Sequence, residues 1–189
     1  MENFIRQYSV KDLDQCREAI SWFEKNKDKA LPGRVLFETR EIIKEVKESL
    51  DMSLRIEELY TIPCFQHILD CLWDSVLSYA EEFNEVKSSS FSLIEHINIQ
   101  KYNPPTGGFK TYHCERGCLT TSTRLLVWMV YLNTVTDKGG TEFKYLNHIE
   151  NAVEGKIIIW PPDFTHTHKG VVSPTQEKYI LTGWYNFIA

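Results

Sequence analysis

From Ser88 onward the sequence alternates between short runs rich in β-branched and aromatic residues and clusters of Gly, Pro and Asn, a rhythm that leaves few folds open. The runs are SLIEHINIQKY, FKTYHCE, TRLLVWMVYLN, TEFKYL, AVEGKIIIW and KYILTGWYNFI, and NPPTGG, TDKGG and PPDF mark turns between them. Runs recurring roughly every 8 to 12 residues predict an antiparallel sandwich or barrel. Upstream of Ser88 the period changes, which puts a helical face behind that β structure.

Two upstream stretches carry the helical period. SVKDLDQCREAISWFEKNK opens with Ser9 three residues before Asp12, like a capping box. It then spaces Leu13, Cys16, Ile20 and Phe23 at 3, 4 and 3, which predicts an amphipathic helix ending near Lys27, before the breaker LPG. IPCFQHILDCLWDSVLSYAEEF begins with Pro63, tolerated in a first turn, and lines Phe65, Ile68, Leu69, Leu72, Val76, Leu77, Ala80 and Phe83 along one stripe, with His67 on the polar side. Between them FETREIIKEVKESLDMSLRIEEL reads equally as helix or extended chain. At 189 residues there is room for one domain with a full core. The expectation is therefore a single domain over 1–189, mostly helical support over 1–87 and a β core over 88–189.

Composition narrows the function classes. A net charge of −5 gives no broad basic surface, so nucleic acid is not an expected partner. No apolar run approaches the roughly 20 residues of a membrane span, so no membrane partner is expected either. The five cysteines are odd in number, and Met1 to Val10 carries charge without the apolar centre of a signal peptide, which points to a reducing, cytoplasmic setting. Cys114 and Cys118 lack the second close pair that a structural zinc site needs.

Two short stretches suggest chemistry. In TYHCERG, His113 and Glu115 lie two apart, so on a strand both side chains share a face, while Cys114 between them faces away and packs. THTHKG offers His166 and His168 on a later strand. Two imidazoles and a carboxylate form the facial triad that suits Fe(II) and leaves positions open for a co-substrate and O2.

QKYNPPTGGFKTYHCE, RLLVWMVYLN, KGGTEF and HKGVVSPTQEKYILTGWY, in that order, resemble the Fe(II)- and 2-oxoglutarate-dependent dioxygenases, specifically the prolyl 4-hydroxylase-like branch with its compact bacterial and phage members. The resemblance spans roughly Ile97 to Phe187. It implies an α+β, mainly β fold: a double-stranded β-helix, or jelly-roll barrel, with the N-terminal helices packed on one face. It implies an oxidoreductase that hydroxylates a prolyl residue of a peptide or protein substrate and converts 2-oxoglutarate to succinate and CO2, with ascorbate keeping the iron reduced. His113 and Glu115 match the proximal metal ligands. The family places a basic residue about ten positions after the distal ligand, and Lys178 follows His168 by ten and His166 by twelve, so the match selects His168. Lys178 then pairs with the far carboxylate of 2-oxoglutarate. Tyr102 and Tyr131 match tyrosines directed at that co-substrate.

The residues themselves agree in part. On KYILTGW, Lys178, Ile180, Thr182 and Trp184 share one face, so Lys178 and Thr182 can meet one ligand, and a buried lysine needs an anionic partner. Lys178 as a solvated strand end, and Tyr102 and Tyr131 as core residues with satisfied hydroxyls, are the plainer alternatives. Tyr102 shares its face with Gln100, Asn98 and His96, a polar set suited to a pocket. Arg124 reads either as reaching the site or its substrate or as a solvated strand end; His148 reads as a surface turn. Glu115 replaces the family's commoner Asp, and the extra methylene moves the ligand oxygen by about a bond length unless the backbone compensates. Rival readings are the same cofactor chemistry on a non-prolyl substrate, a jelly-roll binding module with a vestigial metal site, and a zinc hydrolase using the same triad.

Overall fold

The computed structural model describes residues 3–36, 40–41 and 43–188. Its centre is a sheet whose strands are buried on both sides, and period-2 alternation sorts their residues. On strand Arg124–Tyr131, Leu126, Trp128 and Val130 join one apolar cluster, whereas Val127, Met129 and Tyr131 join a second. On strand Lys178–Phe187, Tyr179, Leu181 and Tyr185 belong to the first cluster and Ile180 and Trp184 to the second.

The main sheet has eight strands, and its pairs are antiparallel. Its order is Arg6–Ser9, Lys156–Trp160, Arg124–Tyr131, Lys178–Phe187, Ile97–Tyr102, Leu50–Leu54 and Leu31–Pro32, with Phe91–Ser92 beside the end of Lys178–Phe187. A second sheet, ordered His148–Glu150, Thr141–Phe143, His168–Gly170, faces it. Phe143 of the small sheet meets Trp160 of the large one edge-on at 5.6 Å, so the second cluster fills the space between the sheets. The result is an α+β, mainly β, double-stranded β-helix.

Helices Asp14–Lys25 and Pro63–Glu82 cover the other face of the large sheet. Cys16, Ala19 and Phe23 of the first, and Phe65, Ile68, Leu69, Leu72, Val76 and Ala80 of the second, are buried there. Leu77, expected on the stripe, is instead 45 % exposed. Ser9 does not cap the first helix. It ends strand Arg6–Ser9, and the Asp12 carboxylate accepts from the Asp14 amide at 3.1 Å at the helix start.

The first half is less purely helical than its sequence suggests. Arg6–Ser9 extends one edge of the large sheet, and Leu50–Leu54 and Leu31–Pro32 extend the other. Pairing decides this, because Leu50–Leu54 finds Ile97–Tyr102 beside it and satisfies its backbone there. Part of the ambiguous stretch, Phe37–Thr39 and Ile42, lies outside the described residues. FKTYHCE is not a continuous strand either: Gly108–Phe109 pairs briefly with Lys47–Glu48, and the rest is irregular. His148 opens a strand rather than occupying a surface turn. Among the described residues no helix is long and apolar enough to cross a membrane.

Candidate metal centre

Three predicted ligands meet at one end of the space between the sheets. His113 and Glu115 lie in the irregular segment after Phe109, and His168 opens strand His168–Gly170. Backbone bonds hold them in place. His113 and His168 each donate an amide to the other's carbonyl at 2.9 Å, and Glu115 donates its amide to the Pro162 carbonyl at 2.9 Å. One ligand atom from each side chain lies within 4.8 Å of the others. Glu115 Oε1 is 3.2 Å from His113 Nε2 and 3.5 Å from His168 Nε2.

The outer ring nitrogens define the inner ones. His113 Nδ1 lies 3.0 Å from the Thr111 carbonyl and His168 Nδ1 lies 2.9 Å from that of His166. A carbonyl only accepts, so each Nδ1 carries a proton; a protonated ring then donates from Nε2 to Glu115, whereas a neutral ring turns its Nε2 lone pair toward it. Burial, with the charge of His113, holds His168 below the usual imidazole range and so favours its neutral form. Burial would raise the Glu115 carboxyl, but hydrogen bonds and charge from His113 and His168 prevail and hold it well below the carboxylate range. Lone pairs and a carboxylate facing one another call for a cation between them. Two imidazoles and one carboxylate fit Fe(II). Phe109 stacks on His113 with centroids 3.7 Å apart, and Trp160 meets His168 edge-on at 5.2 Å, so the rings have little freedom to turn.

His166 is elsewhere. It is buried with Nε2 against the Asn3 carbonyl at 2.7 Å, two residues from the ligand it could have replaced in sequence.

The predicted co-substrate residues share the interior with the triad. Trp184 donates Nε1–H to Glu115 Oε2 at 3.1 Å, and Lys178 lies farther along the same face of the same strand. Lys178 is 4 % exposed, so it is not a solvated strand end. Its ammonium donates to the Gly139 carbonyl at 2.8 Å, lies 4.9 Å from the centre of the Tyr102 ring, and has no carboxylate partner among the described residues. Burial pushes its pKa down to about 8. Gly170 leaves room beside it, since a Cβ there would come 3.7 Å from Nζ.

The hydroxyls already have internal partners. Tyr102 donates to Gln100 Oε1 at 2.6 Å, Tyr131 and Thr141 Oγ1 are 2.7 Å apart, and Thr182 donates to the Trp128 carbonyl at 2.8 Å. Tyr102 and Tyr131 face the inner cluster, whereas His96 is exposed and does not line this space. Sequence reasoning missed Gln100 as the phenol's partner and left Arg124 undecided. Arg124 is buried against Glu115, with Glu95 on its far side.

No family model and no curated protein sequence matches the chain. Solved structures do. A Pseudomonas putida prolyl-4-hydroxylase superposes with a TM-score of 0.73 at 16% identity, over 97% of this chain and 93% of that one. The fold is that of the prolyl hydroxylases. The viral collagen prolyl hydroxylase of Paramecium Bursaria Chlorella virus-1, solved as a 2OG complex, matches with a TM-score of 0.70 at 14% identity, over 98% of this chain and 97% of that one. A Trichoplax adhaerens prolyl hydroxylase, solved with a hypoxia inducible factor oxygen degradation domain peptide fragment, matches with a TM-score of 0.79 at 12% identity, over 98% and 84%.

Proposed function

We propose that the chain is an Fe(II)- and 2-oxoglutarate-dependent dioxygenase of the prolyl 4-hydroxylase type, acting on a prolyl residue in a peptide or protein. One observation carries this reading. The reading is supported by a His–Glu–His set and a buried lysine, without a carboxylate partner among the described residues, that share one interior of a prolyl hydroxylase-like fold. A zinc hydrolase would leave that lysine without a role.

His113, Glu115 and His168 would hold the iron. When bound, Fe(II) with 2-oxoglutarate and O2 supplies oxidative decarboxylation to succinate and CO2 coupled to hydroxylation of a C–H bond. Lys178 receives the far carboxylate of the co-substrate, since an ammonium has three N–H donors and one is bound to Gly139. Tyr102, Tyr131 and Thr182 line its approach, and a hydroxyl that turns from its internal partner can donate to the same carboxylate. Trp160, Phe143 and Ile180 keep this space apolar, which strengthens the charge contact. The peptide assignment draws support from the Trichoplax structure, and ascorbate is the expected reductant for over-oxidised iron.

Uncoupled turnover tests the reading: purified protein with Fe(II), ascorbate and 2-oxoglutarate in air, followed by succinate release. His168→Ala should lower succinate by more than about 100-fold, beyond the 10–100-fold typical of losing an outer partner of a ligand. Lys178→Ala should lower it at low 2-oxoglutarate and recover at high concentration. No succinate, together with no iron or 2-oxoglutarate binding by calorimetry, would sink the proposal in favour of a binding module. A library of proline-containing peptides then identifies the substrate by a mass gain of one oxygen.

A further inference from the structure

Glu115 presents its two carboxylate oxygens to different partners. Oε1 faces His113 and His168. Oε2 accepts from Arg124 Nη1 at 3.2 Å and from Trp184 Nε1 at 3.1 Å. Arg124 cannot drift from this position. Its Nε and Nη2 form a two-pronged pair with Glu95 at 2.8 and 2.6 Å, Nη1 also donates to the Glu115 carbonyl at 2.8 Å, and the guanidinium stacks 3.6 Å from the Trp184 ring centre.

The backbone is shaped to bring Arg124 there. Even-numbered residues Leu126, Trp128 and Val130 of its strand point to the helical side, and simple alternation would send Arg124 with them. The pairing with the last strand slips between Arg124 and Leu126: Arg124 opposes Asn186 while Leu126 opposes Tyr185. That one-residue bulge at Leu125 reverses the facing, so Arg124 turns inward beside Trp184 while Leu125 and Leu126 both pack on the helical side.

We propose that Arg124, with Trp184, is a positioning residue that occupies the outer oxygen of Glu115 and so restricts this ligand to one metal-binding oxygen. The inference rests on the metal reading above. A glutamate has a longer, looser side chain than aspartate and can swing to offer both oxygens to one ion. Doing so would fill a coordination position that the co-substrate or O2 needs. Arg124 and Trp184 remove that option, and they take up the reach added by the extra methylene.

Water-proton relaxation with Mn(II) as the probe tests this without turnover, because it reports both binding and the number of exchangeable waters on the ion. The unmodified chain should bind one Mn(II) with about three such waters, the positions left by three protein ligands. Arg124→Gln should lower the relaxation enhancement per bound ion by about one third, one water of about three. Arg124→Lys, which keeps the charge and a donor, should restore it at least in part. Trp184→Phe removes the other donor without unpairing a charge, and it should shift the enhancement in the same direction even if Arg124→Gln fails to fold. Mn(II) bound with unchanged enhancement in Trp184→Phe and in folded Arg124→Gln overturns the inference and leaves the metal reading standing. Failure of the unmodified chain to bind Mn(II) or Fe(II) overturns both.

Discussion

The two ends of the interior between the sheets solve opposite electrostatic problems. At the metal end Glu115 is surrounded by His113, His168, Arg124 and Trp184, and Arg124 is matched in turn by Glu95. At the other end Lys178 is more deeply buried and, among the described residues, meets a backbone carbonyl and an aromatic face but no carboxylate. The metal end is a hydrogen-bonded network arranged around a place for a cation. The lysine end holds a charge with no carboxylate partner among the described residues, and burying such a charge is costly. The contrast teaches that the lysine proposed to anchor the co-substrate is the uncompensated part of this protein and the proposed metal ligands are the supported part.

Removing a cation at each end should therefore act with opposite sign. Arg124→Met leaves Glu95 and Glu115 facing a buried gap and should destabilise the metal-free protein by about 3–5 kcal/mol. Lys178→Met removes a buried charge that has no carboxylate partner among the described residues. The fall of its pKa from 10.5 to about 8 makes the charged form cost up to about 3 kcal/mol at neutral pH, so this variant should gain stability by up to that amount while losing 2-oxoglutarate binding. Urea midpoints of the two variants read both signs, and a loss of stability in both would erase the distinction.

The pH dependence should divide in the same way. The folded pKa of Lys178 lies below its unfolded value, so between about pH 8 and 10.5 the unfolded chain holds more protons and this group makes stability rise with pH. Glu115 is held below its ordinary 4.5, so its contribution is present above that pH and is lost as pH falls through the folded value. Urea titrations across pH, comparing the parent with Lys178→Met, isolate the alkaline limb. Binding of 2-oxoglutarate, followed by calorimetry, should weaken above about pH 8 as the ammonium loses its proton.

The smallest expected effect is at the carbonyl that holds Lys178. Gly139 has φ +77°, where a side chain is strained, and a Cβ would lie 2.4 Å from Val135 Cγ1. Gly139→Ala should cost about 1–2 kcal/mol from the backbone conformation alone. It should also weaken 2-oxoglutarate binding more than metal binding, because the disturbed turn belongs to the lysine end.

Much of this architecture was legible in the residues, and the failures have identifiable causes. The alternation in RLLVWMVYLN predicts a strand, and packing on both of its faces follows from having apolar residues at both parities. The same reasoning fails at Arg124, because a bulge changes parity and leaves no mark on composition. Ser9 resembles a cap, but an edge of the sheet was available for pairing and a strand satisfies more backbone groups there than a cap does. Tyr102 has the residue type for a pocket, yet the location of its hydroxyl depended on Gln100 two positions back on the same face.

By itself the sequence determined the β rhythm, the two long helices, and the residue types of a metal set with a lysine ten positions beyond its last histidine. Those are local or periodic properties, carried by spacing along the chain. Only the tertiary structure decided that Leu50–Leu54 is an inner partner of the large sheet, that His168 faces Glu115 while His166 turns to Asn3, and that Arg124 grips the outer oxygen of Glu115, nine residues earlier. Each of those outcomes depends on which distant backbone lies alongside. Strand pairing and burial set that only when the whole chain has closed.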